Sequence, residues 1–304
     1  MRITLRQLRV FEAVARMKSV SKGAEEACLS QSAASMALKE LEEGLQITLF
    51  HRNGKQLAIN ENGRRIQPLV TSLLAMAKDI EQVSSENHTW GTLRVAASTT
   101  IGSVLLGDVC RRFCESYPSA RIDLHITHSG EVMQAVETMA FDVGVIETPS
   151  NRKGLKVEPL CKDTLTVFAS PQHPLTQRKG VTIEELRDQR WCLGDVKSYA
   201  RNTLTVLLGE SGLDIALTAN SPGAIKSAVA SGLGLGCLSP LLIKNEVALG
   251  QLVSIELDES IRMERNFQLI TPVVVYKGRL IEAFSEIAKE ALFEKSAHEM
   301  AIAS

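Results

Sequence analysis

Gln31, Ser32, Ser35, Met36 and Lys39 recur at spacings that place them on one face of a helix, and their side chains suit contact with nucleic acid. Gln and Ser hydrogen-bond base edges or phosphate oxygens, and small side chains let a helix backbone sink close to the bases. Ser30, just ahead, is a good N-cap for that helix, and Arg52 and Lys55 follow within reach of phosphates. A second set is rich in hydroxyls: Ser98-Thr99-Thr100, Ser129, and Lys197-Ser198-Tyr199 with Arg201. Each stands where a predicted strand gives way to a predicted helix, and free backbone N–H groups with a positive dipole end favour a small anion there. Any one of these clusters reads more simply as a plain cap. Their recurrence at corresponding strand ends is what points to a site.

The first set needs a compact helical frame. Leu5, Leu8, Phe11, Val14 and Ala15 make an amphipathic helix after Thr4; Ala24 and Ala27 give a second helix an apolar face, and Leu29 closes a turn. The helix after Ser30 is then buried through Ala34, Leu38, Leu41 and Leu45, leaving the polar set outward. An ordinary helical hairpin with a solvated face fits this spacing equally well. The next ten residues favour a DNA reader: Leu49 to Arg52, Asn53-Gly54 and Lys55 to Ile59 predict a two-stranded wing that would carry Arg52 and Lys55 to the phosphates.

From Asn60 to about Glu86 the pattern predicts one long helix, with Ile66, Val70, Leu73, Ala77 and Ile80 in steps of four and three. Such a stripe is a coiled-coil seam that a partner chain would cover, with an intramolecular core helix as the alternative. Pro68 removes a backbone donor and is expected to kink or tighten its first turns. His88-Thr89-Trp90-Gly91 breaks the pattern and marks a domain boundary.

Beyond it, predicted strands and helices alternate, which implies a mostly parallel sheet covered by helices. One run holds Leu93–Ala97, a helix through Leu105, Val109 and Phe113, Ile122–Ile126, a helix through Val132, Val136 and Met139, and Val143–Ile146. A second runs from a strand at Thr164–Phe168, through a helix opened by the capping box Thr182 to Glu185, to helices opened by Ser221-Pro222 and Ser239-Pro240. A strand at Phe267–Thr271 and a helix through Leu280, Phe284, Ile287 and Leu292 return to the first lobe. A two-lobed α/β domain binds small molecules where strand ends meet helix N-termini.

Composition narrows the function classes. The 304 residues are 44% hydrophobic and 23% charged, ordinary values for a chain of two or three folded units. No apolar run approaches the ~20 residues of a membrane span, and no secretory pattern opens the chain, so the expectation is a cytoplasmic protein without membrane contact. Residues 1–89 hold 12 Lys+Arg against 10 Asp+Glu, whereas the remainder holds 22 against 25, so DNA affinity must come from local placement of Arg52, Lys55, Arg64 and Arg65. The six cysteines form no paired framework; Cys110 and Cys114 stand four apart, more simply as buried small residues than as a redox or metal pair. His125 and His128 fall on opposite faces of a strand and are poor joint ligands. Gly232, Gly234 and Gly236 sit between helix and strand, the reverse of a dinucleotide loop, and GxxxxGK(S/T), GxSxG, HExxH and CxxC do not occur. The expectation is no catalysis, no metal and no cofactor, with a solute-binding or enzymatic α/β protein as the rival.

The stretch from Leu5 to Arg65 resembles, without a gap, the N-terminal domain of LysR-type transcriptional regulators: LRQLRVFEAVA, LSQSAAS, LEEGLQITLFHR and ENGRR carry the likeness. TANSPGAIKSAVASGLGLGCLSP resembles the second lobe of the effector domain of that family. Family members often carry a basic residue where Met36 stands, so the resemblance implies that a base or phosphate contact usual in the family is either missing or replaced here. The resemblance implies an α/β fold class with an N-terminal all-α winged helix-turn-helix and a two-lobed periplasmic-binding-protein-like effector domain. Its expected units are a DNA-binding domain (1–60), a dimerisation linker helix (61–89) and an effector domain (90–304), with lobe 1 at 90–162 and 267–304 and lobe 2 at 163–266. By the family pattern Thr100, Ser129 and Glu147 fall where relatives contact effectors, and Glu147 is expected either to orient Lys197 or Arg201 across the cleft or to donate when protonated. The implied partners are double-stranded operator DNA, a small anionic effector, a second copy in a homodimer, a tetramer of such dimers, and RNA polymerase. Small carboxylates and inorganic oxyanions such as sulfite or sulfate both stay open as effectors.

Overall fold

The computed structural model describes residues 3–53, 56–82, 91–209, 213–274 and 276–302. Its N-terminal helices α1 (Leu5–Met17), α2 (Val20–Glu26) and α3 (Gln31–Leu45) each start on a hydroxyl cap: Thr4, Ser19 and Ser30 accept from backbone N–H groups three residues on. The Gln7 side chain accepts from the Thr4 backbone N–H in return, which completes a capping box. Phe11, Val14, Ala24, Ala34, Leu38 and Leu41 form one core, and Gly23 lets α2 approach α1 so closely that a Cβ there would lie 2.6 Å from the Val14 side chain. Strands β1 (Phe50–Asn53) and β2 (Gln56–Ile59) pair antiparallel with Asn53 opposite Gln56, so Asn53 pairs as a strand residue. Gly54 and Lys55 lie outside the described residues.

Helix α4 (Glu61–Gln82) continues through Pro68 as one helix, and the boundary residues His88 to Trp90 are outside the described set. Its seam is not the expected one. Ile66 and Val70 pack into the N-terminal core, and Ala77 is half-buried, while the exposed apolar stripe is Leu69, Leu73, Met76 and Ile80. The reason is that the opposite face is already occupied by the chain itself. Gln67 Nε2 donates to the Thr138 carbonyl at 3.0 Å, the Thr71 hydroxyl lies 3.1 Å from Met139 Sδ, and the Tyr276 hydroxyl donates to Asp79 at 2.5 Å.

The first lobe contains β3 (Gly91–Ser98), α5 (Thr99–Val104), α6 (Leu106–Ser116), β4 (Ala120–Thr127), α7 (Ser129–Glu137), β5 (Val143–Ile146) and β6 (Leu155–Thr164). The second contains β7 (Thr166–Ala169), α8 (Ile183–Arg187), β8 (Arg190–Leu193), α9 (Tyr199–Leu208), β9 (Asp214–Thr218), α10 (Pro222–Ala230), β10 (Leu235–Leu238), α11 (Pro240–Ala248) and β11 (Val253–Ser254). The chain returns through β12 (Glu264–Pro272) and ends on α12 (Arg279–Ile302). The sheets are ordered β4-β3-β5-β12-β6 and β11-β7-β10-β8-β9.

The structure corrects three expectations from sequence. The expected strand at Thr164–Phe168 is two: β6 ends at Thr164 in one lobe and β7 starts at Thr166 in the other, so Leu165 is a crossover. The returning strand begins at Glu264, three residues before the expected start, and pairs along the whole of β6. The sheets are mixed and not mostly parallel, because the crossing strands β6, β7 and β12 run antiparallel to their neighbours. On one side of the crossovers the lobes touch through α5 and α11: Val104 packs on the second-lobe cluster and Leu241 on the first.

Candidate DNA interface and interlobe cleft

Gln31, Ser32, Ser35, Met36 and Lys39 all stand exposed on the outer face of α3, opposite the buried Ala34, Leu38 and Leu41. Met36 is 62% exposed, so its side chain is available on this face. Ser30 differs from the others: its hydroxyl accepts from Ala33 N at 3.2 Å and meets Ser32 Oγ at 3.0 Å, so it holds the helix start. Of Arg52 only the backbone, in β1, is described.

Between the lobes lies a cleft of about 50 Å³, with Thr99, Thr100, Glu147, Ser198 and Arg265 on its walls. A water needs about 10–15 Å³ by such a measure, so the space matches a few waters or one small polar group. Thr99 and Thr100 open α5, and Ser198 caps α9 by accepting from Arg201 N at 3.4 Å. Gly194 faces Ser198 so closely that a Cβ would lie 2.6 Å from its hydroxyl. Thus four expected residues, Thr99, Thr100, Glu147 and Ser198, meet in one place.

The structure places the other five elsewhere. Ser98 is fully buried, and its hydroxyl has no hydrogen-bond partner among the described residues. Ser129 Oγ accepts from the Glu147 backbone N–H at 3.3 Å and so positions that residue from behind. Lys197 reaches over the rim to Glu131 at 2.6 Å, Arg201 donates to the Gly194 carbonyl at 3.3 Å, and the Tyr199 ring lies 5.5 Å from the Arg265 guanidinium. Glu147 therefore orients neither Lys197 nor Arg201, because each is held by its own lobe or rim partner.

Its partner is Arg265, which sequence reasoning missed. The Arg265 side chain is 2% exposed. Its Nε and Nη2 donate to Asp163 Oδ2 at 2.7 and 2.6 Å, its Nη1 donates to Glu147 Oε2 at 2.6 Å, and Nη2 reaches Thr100 Oγ1 at 3.1 Å. Ser239, the cap of α11, donates to Asp163 Oδ1 at 2.9 Å. The hydrogen-bond partners of this guanidinium all belong to the first lobe, and the second lobe reaches the cluster through the Ser239 hydroxyl on Asp163 and the Tyr199 ring beside Arg265. A signal existed: Arg265 is in phase with the apolar Phe267 and Leu269, so a charged residue sits on the inward face of a strand.

Burial pushes the Glu147 carboxyl above the usual carboxylate range, although Arg265 beside it pulls the other way. At the rim, Lys197 and then Thr127 hold Glu131 below that range. His128 Nε2 lies 3.0 Å from Asp195 Oδ2, a further contact between lobes, whereas His125 stacks near Phe141; the two histidines diverge as expected. Behind the cleft the buried Cys237 thiol is pushed up to about 12 by burial, despite Arg265. Cys110 is half-buried against the first-lobe core and Cys114 is exposed. Among the described residues no group of three His, Cys, Asp or Glu could hold a metal ion, and no helix is long and apolar enough to cross a membrane. Two of the glycines near β10 serve packing, since a Cβ on Gly234 would run into the Arg190 carbonyl and one on Gly236 into the Phe168 ring, whereas Gly232 faces open space and takes a positive φ.

Comparison with known proteins adds to this geometry. Residues 5–64 match the model of the bacterial regulatory helix-turn-helix protein, lysR family, and residues 86–293 match the LysR substrate binding domain. The uncharacterized HTH-type transcriptional regulator YeiE of Escherichia coli (strain K12) is 40% identical over 83% of this chain and 86% of its own. A full-length OxyR variant from Pseudomonas aeruginosa shares the fold with a TM-score of 0.76 at 21% identity, over 95% of each chain. The Synechocystis PCC6803 CcmR regulatory domain, solved in complex with 2-PG, covers 66% of this chain and 97% of its own, with a TM-score of 0.61 at 21% identity.

Proposed function

Because the chain belongs to the LysR family of transcriptional regulators, we propose that a small anion held between its two lobes sets the spacing of paired DNA-binding domains and thereby transcription. The observation that carries this reading is the cleft of about 50 Å³ in which Arg265 and the hydroxyls of Thr99, Thr100 and Ser198 converge from both lobes. Its ligand touches both lobes at once, so binding biases their relative rotation. The 2-PG complex of the CcmR domain supports a small effector in this fold.

DNA is read by α3: Gln31 and Ser35 contact base edges, Ser32, Lys39, Arg52 and Lys55 reach phosphates, and Met36 replaces a basic contact with an apolar one. The Leu69, Leu73, Met76 and Ile80 stripe pairs two protomers, and pairs of dimers form a tetramer that contacts RNA polymerase. Such a protein works in the cytoplasm, without catalysis, metal or cofactor. A calorimetric screen of small carboxylates, sulfite, sulfate and phosphate against the full chain tests the effector. The expected result is one anion class whose binding changes the DNA footprint, and a screen without any binder removes the reading. A gel shift with DNA upstream of the gene, showing no binding at low salt, removes the regulatory role altogether.

A further inference from the structure

We propose that the anion enters the cleft together with one proton, and that Glu147 holds this proton and donates it to the anion as a hydrogen bond. This rests on the anion reading above and concerns how the same site accepts negative charge.

The charges lining the cleft require a compensating step. Among the described residues on its walls, Arg265 is the one permanent cation, and each of its three nitrogens already has an acceptor within 3.1 Å. Against it stand Asp163 and Glu147, with Asp195 on the second-lobe wall. With both of its carboxylate partners ionised, an anion beside Arg265 meets a net negative field in a confined space of about 50 Å³. Protonating one carboxylate neutralises that excess and frees a guanidinium N–H.

Geometry selects Glu147. Asp163 takes two donors from Arg265 on Oδ2 and the Ser239 hydroxyl on Oδ1, and it lies behind Arg265 and not on the cleft wall. Glu147 takes Arg265 on Oε2 and Thr100 from α5, lies on the cleft wall, and is 12% exposed. The remaining groups facing it are engaged elsewhere. The Ser129 hydroxyl bonds its backbone, His128 on the same turn as Ser129 is held by Asp195, and Tyr199 covers the far side of Arg265. Lys197 and Glu131 pair with each other at the rim. Burial raises the Glu147 proton affinity above that of an ordinary carboxylate, although Arg265 opposes the shift.

Once protonated, Glu147 changes from acceptor to donor. Arg265 Nη1 and the Glu147 hydroxyl then present two donors side by side, which fits an anion with at least two acceptor oxygens, a carboxylate or a tetrahedral oxyanion, and disfavours a halide. Glu147 thus selects the ligand class as well as carrying the proton.

The test is calorimetry on the full-length protein with sulfate and acetate as probes, both fully ionised between about pH 6 and 8.5, in buffers of different ionisation heat. The expected result is uptake of about one proton per anion at pH 8 and an affinity that falls about tenfold per pH unit at the alkaline end. Glu147→Gln should bind both probes without proton uptake and with a flat pH profile, while His128→Gln should keep the uptake. Binding by the parent protein without uptake, or uptake persisting in Glu147→Gln, overturns the proposal. Uptake lost only in His128→Gln overturns it too, by placing the proton on the imidazole. The parent measurement needs no variant, so misfolding of a variant does not shield the proposal. If neither probe binds at any pH, it is the anion reading itself that fails.

Discussion

Leu73→Glu probes the face of α4 that the chain leaves uncovered. Leu69, Leu73, Met76 and Ile80 are 57, 42, 41 and 71% exposed, in steps of four, three and four. Covering them in a pair of protomers removes the equivalent of about four whole apolar side chains from water, about 6–12 kcal/mol at 1.5–3 kcal/mol each. Association itself costs about 4–15 kcal/mol in lost translation and rotation, so the seam leaves little surplus. The two copies of Leu73 supply about 1–2.5 kcal/mol of this, and each glutamate that replaces one adds a desolvation cost of several kcal/mol. The expected loss exceeds about 4 kcal/mol, which is roughly a thousandfold in the dimer dissociation constant. Leu73→Ala, which removes burial without adding charge, should lose only about 1–2.5 kcal/mol, roughly 5- to 70-fold. Sedimentation velocity from nanomolar to micromolar protein reads both shifts, with circular dichroism as a check that the effector lobes stay folded. DNA binding should collapse with the dimer. An unchanged oligomer in Leu73→Glu would mean that this stripe is not the interface, and the reasoning from its exposure would be refuted.

Replacing Gln31 or Ser35 by Ala should weaken operator binding by about 1–3 kcal/mol while leaving random-sequence binding nearly intact, whereas Arg52→Ala should weaken both and flatten the salt dependence; equal losses on both DNAs in a filter or gel assay would remove the reading helix. Thr100→Val keeps volume but removes a hydroxyl that accepts from Arg265 at 3.1 Å, so effector affinity should fall by about 1–2 kcal/mol with DNA affinity in the absence of effector nearly unaltered. Ser198→Ala should cost the effector a similar amount, and the α9 cap about 1 kcal/mol of stability; unchanged affinity in both variants places the effector elsewhere. Cys237, with its thiol pushed up to about 12, should resist alkylation in the native state at pH 8 while the exposed Cys28 and Cys114 react, as mass spectrometry of labelled peptides would show. Rapid native labelling of Cys237 would mean that the second-lobe core opens.

The sequence alone determined what local chemistry can specify. Thr4 and Ser30 start two helices, the Ala34, Leu38 and Leu41 stripe turns α3 so that Gln31, Ser35 and Lys39 face outward, and Thr182 with Glu185 opens α8. These features depend on residues three or four apart, where the helix period fixes the face. Tertiary structure decided the rest. Ile66 and Val70 belong to a stripe by periodicity, yet only packing against α1 and the first lobe shows that they are buried and that Leu69 and Met76 are free. Thr164 and Thr166 look like one strand because β-propensity runs through both, but they belong to different sheets joined at a crossover. The cleft shows the same limit most strongly. Arg265 meets Asp163, Glu147 and Thr100 across 102, 118 and 165 residues of chain, and no period links them. Hydroxyls at helix starts were legible because capping is local, whereas the charge they surround was not, because a buried ion pair exists only where two distant strands are brought together and water is excluded.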